Sequence, residues 1–112
     1  MGANQTWAKV IGVILLLVGI FGFFLKGLML NVFEVNELHN ILHLVSGAIF
    51  AWAGFSLRAP ASKVNQWLGG IYILLGLIGF FALQELLALN SADNVLHLVI
   101  GVASVWLGWK SD

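Results

Sequence analysis

The chain has no cysteine, a single proline and a single tyrosine, and five Lys or Arg with five Asp or Glu among its 112 residues. Without cysteine there is no disulfide, no thiolate metal site and no thiol nucleophile. Imidazole, carboxylate, amide and hydroxyl are the ligand and catalytic groups that remain. Net charge is zero and no basic run occurs, which argues against a nucleic-acid partner and against recruitment to anionic lipid by charge. Met1 to Thr6 carries neither the basic segment nor the small-residue cleavage site of a signal peptide, so the first apolar run is read as a mature span. Gly2 to Thr6 fits a myristoylation pattern and Asn4-Gln5-Thr6 a glycosylation sequon. Both patterns are short and common, and we read both as coincidence.

What the chain has in abundance is hydrocarbon. It is 61% hydrophobic with a mean hydropathy of +1.00, where soluble domains are about 45–50% apolar. This composition predicts an integral membrane protein whose first partner is the lipid bilayer. A bilayer-crossing helix needs about 20 mainly apolar residues, and four segments qualify: Trp7 to Leu25, Leu38 to Leu57, Asn65 to Leu83 with apolar character continuing to Ala88, and Asp93 to Trp109. Pro60 sits in the short polar connection Arg58 to Lys63, as a tight turn requires. In this topology Lys9, Arg58, Lys63 and Lys110 fall on one side, and Lys26 on the other with Glu34, Glu37, Glu85 and Asp93. By the positive-inside rule both termini are cytoplasmic, and Trp7, Trp67 and Trp109 lie at the same ends, where indole rings anchor at the headgroups.

The chain also repeats itself. Residues 36–57 and 90–111 align at an offset of 54 with nine identities in 22 positions: Asn36/Asn90, Asn40/Asn94, Leu42/Leu96, His43/His97, Leu44/Leu98, Val45/Val99, Gly47/Gly101, Trp52/Trp106 and Gly54/Gly108. Gly12, Gly19 and Gly22 on span one recur at an offset of 57 as Gly69, Gly76 and Gly79 on span three. The duplicated unit is therefore a helical hairpin, residues 7–57 and 64–111 of a single domain over 1–112. Spans two and four would run parallel, with their motifs in the outer leaflet. Glycines two helical turns apart form narrow stripes along which a neighbouring backbone can approach closely, so Gly12, Gly19, Gly47, Gly54, Gly69, Gly76, Gly101 and Gly108 are read as packing residues. The expected fold is an all-α bundle of four transmembrane helices, two parallel hairpin repeats about a pseudo-twofold axis.

Polar side chains inside hydrocarbon are where function is usually found. On span two Asn36, His43 and Gly54 project within about 20° of one another, so the histidine faces the glycine stripe, with His39 and Asn40 beside it. Span four repeats the pattern with Asn90, Asn94 and His97, and Asp93 replaces His39. Three readings follow. In the first, Asn36 and Asn90 or Ser91 cap the helix starts, while Asn40, His43, Asn94 and His97 hydrogen-bond across the axis as polar glue in a scaffold or subunit. In the second, His39 and His43 at i and i+4, with Asp93 and His97 at the same spacing, supply three imidazoles and a carboxylate to a transition metal such as Zn, Cu, Ni or Fe, with Asn40 and Asn94 orienting the rings from behind. In the third, His43 and His97 ligate a tetrapyrrole, haem or chlorophyll, with Gly47 and Gly101 leaving room for the macrocycle. A proton or ion path through Glu34, Glu85, Asp93 and the histidines is a further alternative. A hydrolase is not supported, because Ser46 has Ile100 as its counterpart and no set of serine, histidine and carboxylate recurs.

Asn36-x-x-His39-Asn40-x-x-His43-Leu44 followed by Ala92-Asp93-Asn94-x-x-His97-Leu98-x-x-Gly101, on spans two and four of a short chain, resembles the bacterial membrane-protein family known as domain of unknown function 4383, over roughly residues 8–109. The resemblance implies a bacterial four-helix integral membrane protein and assigns no residue a role. The sequence as a whole points to a small scaffold or binding subunit of a bacterial inner membrane rather than an enzyme. The apolar perimeter of so small a bundle favours a homo-oligomer or a larger membrane complex, although lipid alone would also cover it.

Overall fold

Long apolar runs free of proline leave the backbone one way to satisfy its own hydrogen bonds, and that is the helix. In a computed structural model, which describes residues 2–24, 37–56, 58–79 and 91–110, these runs form α1 (Ala3–Phe24), α2 (Glu37–Phe55), α3 (Ala61–Gly79) and α4 (Ser91–Trp109), with no strand among the described residues. α3 begins four residues ahead of the expected Asn65. The reason is Pro60: its ring presets φ near about −65° and it has no N–H to leave unsatisfied, so it opens the first turn and its carbonyl accepts the Val64 N–H at 3.0 Å. α2 ends at Phe55, where the chain turns through Arg58 and Ala59 into that proline. Asn36 and Asn90, expected as caps, lie outside the described residues.

α1 packs along α2 and α3 along α4. The two hairpins meet through narrower contacts of α3 with α1 and α2, and of α1 with α4. α2 and α4 share no extended contact and stand diagonally across the bundle. Absent side chains set the close approach within each hairpin. A Cβ on Gly12 would strike the backbone of Ala51, one on Gly54 the backbone of Lys9, and one on Gly47 would come within 2.8 Å of the Leu16 nitrogen. The second hairpin makes the matching contacts. A Cβ on Gly19 would meet Leu44 and the Asn40 carbonyl, one on Gly76 would meet Leu98 and the Asn94 carbonyl, and Gly69 and Gly101 face each other as Gly12 and Gly47 do.

Burial is inverted relative to a soluble protein, in which charged and amide side chains face water. The interior holds Asn4, His39, Asn40, His43, Asn65, Asp93, Asn94 and His97, while Ile41, Val45, Leu74, Val99 and Val102 face outward. Among the described residues, buried polar side chains outnumber buried apolar ones. α1 over Ala3–Phe23 and α2 over Leu38–Phe55 are long and apolar enough to cross a membrane. The apolar part of α4, Asp93–Trp109, is shorter. α3 is not in that class, since its first turns carry Ser62, Lys63, Asn65 and Gln66. Two of the four expected spans thus meet the criterion on the described residues.

Candidate functional site

The i, i+4 spacing of His39 and His43 puts both rings on the inner face of α2, 4.4 Å apart between centroids. His97 comes across the bundle from α4 to lie 5.4 Å from His39 and 5.9 Å from His43. One ring nitrogen from each of the three lies within 4.8 Å of the others, and all three residues are buried. Asp93, one turn before His97, is buried at 2% exposure but is not a member of this group. The expected set of four donors is therefore three imidazoles with a carboxylate nearby on the same helix. Glu34 and Glu85, the other acids of the expected ion path, lie outside the described residues.

Both nitrogens of His97, Nδ1 of His43, Oδ1 of Asn40 and Oδ1 of Asn94 are buried without a hydrogen-bond partner. The cross-axis bonds expected between these amides and imidazoles therefore leave these donors and acceptors unused. The Asn40 amide instead lies against Gly22 of its own hairpin. Buried polar atoms are rarely left alone, because each costs about 1–3 kcal/mol.

Side-chain hydrogen bonds join the helices at the opposite end. Asn65 Nδ2 donates to Oδ1 of Asn4 at 2.9 Å and to its carbonyl at 3.1 Å, Trp7 Nε1 donates to Ser104 Oγ at 2.8 Å, and Asn4 Nδ2 donates to the Lys110 carbonyl at 3.3 Å. Amide side chains also cap the carbonyl ends of the even-numbered helices: Gln5 Nε2 donates to the Ser56 carbonyl after α2, and Gln66 Nε2 to the Gly108 carbonyl in α4.

Below the histidines lies a pair that the motif analysis passed over. Ser46 Oγ donates to the Leu42 carbonyl at 2.7 Å, which uses its one proton. The 2.7 Å bond between Ser46 Oγ and Tyr72 OH then has the phenol as donor. The Tyr72 ring meets His97 edge-on at 5.4 Å and is 1% exposed. Two departures from the repeat could have revealed it, since Tyr72 aligns with Leu15 and Ser46 with Ile100. Where one hairpin contact is polar on both sides, its image is apolar on both sides.

The rings leave no slot for a macrocycle. His39 stands against both His43 and His97, and the room expected beside Gly47 and Gly101 is filled by Leu15, Leu16, Gly69 and Ile73. A tetrapyrrole does not fit. Residues 5–110 match the family described as Domain of unknown function (DUF4383). The chain belongs to this family. As a DUF4383 protein it inherits no assigned activity, so the three-histidine group stands on its own geometry. Neither a curated protein nor a solved structure matches the chain.

Proposed function

We propose that this DUF4383 protein is a four-span integral membrane protein that holds one first-row transition-metal ion on His39, His43 and His97. The observation that carries the reading is the convergence of three buried imidazoles, with His97 lacking any hydrogen-bond partner at either nitrogen. Metal–imidazole bonds of about 2.0–2.1 Å in a tetrahedral site bring ligand nitrogens to about 3.3 Å of one another, so rings within 4.8 Å need inward shifts of only about 1 Å. Neutral imidazoles suit Zn, Cu, Ni or Fe, and the open fourth position falls to Asp93 or an exogenous oxygen donor. Asn40 and Asn94, whose Oδ1 atoms are buried and unpartnered, are the acceptors available to imidazole N–H groups once the rings move onto a metal.

The membrane reading rests on the apolar exterior and polar interior. Helices of 19 residues rise about 28 Å, close to the about 30 Å of a hydrocarbon core. Trp67 and Trp109 are exposed at one end of the bundle, where Lys9 Nζ lies 4.9 Å over Phe55 and Lys110 Nζ 4.2 Å over Trp106. That end fits a cytoplasmic headgroup boundary, which puts both termini inside and the histidines in the outer leaflet. The matching contacts of the two hairpins support a pseudo-twofold arrangement of the repeats.

The test is elemental. Protein purified in detergent without chelator should carry about one equivalent of a first-row metal or take it up on titration. His97→Ala and His43→Ala should abolish binding while the far-ultraviolet circular dichroism stays helical. A folded wild-type protein that neither contains nor takes up metal would return the cluster to a structural role.

A further inference from the structure

Resting on the metal reading above, we propose that the site is blind. The cation enters and leaves only at the histidine end of the bundle, and the protein holds the ion without passing it across the membrane. The argument is the order of side chains along the bundle axis. Running inward along α2 the buried side chains are His39, Asn40, His43, Ser46, Phe50 and Ala53, and at about 1.5 Å per residue Ser46 lies about 4–5 Å beyond His43 and Phe50 about 6 Å beyond Ser46. The Ser46–Tyr72 pair forms the floor. Both of its protons are committed, the Tyr72 O–H to Ser46 Oγ and the Ser46 O–H to the Leu42 carbonyl, which holds the two hydroxyls together across the axis.

Under that floor the axis is plugged. Phe50 is fully enclosed and belongs to one apolar cluster with Ala8, Ile11, Leu15 and Ile100, contributed by α1, α2 and α4. An ion leaving the imidazoles in that direction would give up all its ligands to hydrocarbon, at a penalty of at least several kcal/mol with no opposing charge to offset it. Beyond the plug Trp7 Nε1 and Ser104 Oγ are bonded to each other and the Asn65 amide nitrogen to Asn4, while Asn65 Oδ1 is buried on the far side of the plug from the imidazoles. Among the described residues no ladder of polar groups links the two ends. The occupant this site fits is a borderline transition-metal cation, taken from and returned to one aqueous side.

The experiment uses the full chain in liposomes. Because there is no native cysteine, a Ser62→Cys variant reports orientation through an impermeant maleimide, Ser62 being at the tryptophan end. Zn2+ is added outside, and an entrapped Zn2+ indicator reads the lumen. The expected result is no luminal rise above that of protein-free vesicles, with external Zn2+ loading only the fraction whose Ser62→Cys is protected from the reagent. Detergent then opens the remaining sites. A luminal rise that scales with protein, or loading of both orientations from outside, would overturn the blind site. Failure to bind Zn2+ in detergent would instead remove the metal reading on which it rests.

Discussion

At the scale of single residues, the informative contacts are those in which the two halves of the duplication differ. Ser46 and Tyr72 hydrogen-bond to each other, while their matched positions, Ile100 and Leu15, are both buried and apolar. Ser46→Ala should leave the buried phenol without an acceptor, costing about 1–3 kcal/mol. Tyr72→Phe should cost about 1 kcal/mol, since Ser46 keeps its bond to the Leu42 carbonyl. The double variant should then lose less than the sum. Thermal unfolding in detergent measures the cycle, and strict additivity would mean that the two hydroxyls are not coupled. Little of this was legible beforehand. A lone tyrosine in an apolar helix signals a buried polar tip, but its partner depends on how one hairpin slides against the other, and periodicity within a helix carries no such register. The histidines were easier to read, because i and i+4 on one helix face is a local property. Asn40 and Asn94 were read as bonding across the axis, yet Asn40 turns to the gap at Gly22 in its own hairpin.

At the scale of the helix, the glycine stripes decide how close each pair comes, and here sequence spacing carried most of the answer. Gly12 and Gly54 face backbone, so a methyl group has nowhere to go. Gly70 has nothing within 4 Å of where its Cβ would be. Gly12→Ala and Gly54→Ala should therefore destabilise by about 1–3 kcal/mol, whereas Gly70→Ala should stabilise by about 0.5–1 kcal/mol, through the lower entropy cost of ordering alanine in a helix. Melting temperatures of the three variants check this directly. If Gly70→Ala fell with the others, backbone approach would not be the reason for the stripe. Helix ends were less legible than helix faces. Proline opened α3 earlier than hydropathy indicated, because a first-turn position suits a residue without an N–H, and hydropathy does not weigh that.

For the molecule as a whole, the distribution of cations predicts sidedness. A cysteine introduced at Ser62 should stay unlabelled by an impermeant reagent in intact cells and label after permeabilisation. Labelling in intact cells would invert the topology and move the histidines to the cytoplasmic leaflet. The four-helix, all-α architecture was readable from composition and run length. How the hairpins face one another was not, since it depends on unlike partners at matched positions. Asn4 pairs with Asn65 where the image pair is Ala61 and Ala8, and large Trp7 meets small Ser104 where the image positions hold Val64 and Phe50. Two copies of the first half about the same axis would press Trp7 against Phe50 and leave each Asn4 facing an alanine. Two copies of the second would set Val64 over Ser104 and leave a gap. Each half is shaped to meet the other and not a copy of itself, so the two hairpins pack as unlike partners that share one chain.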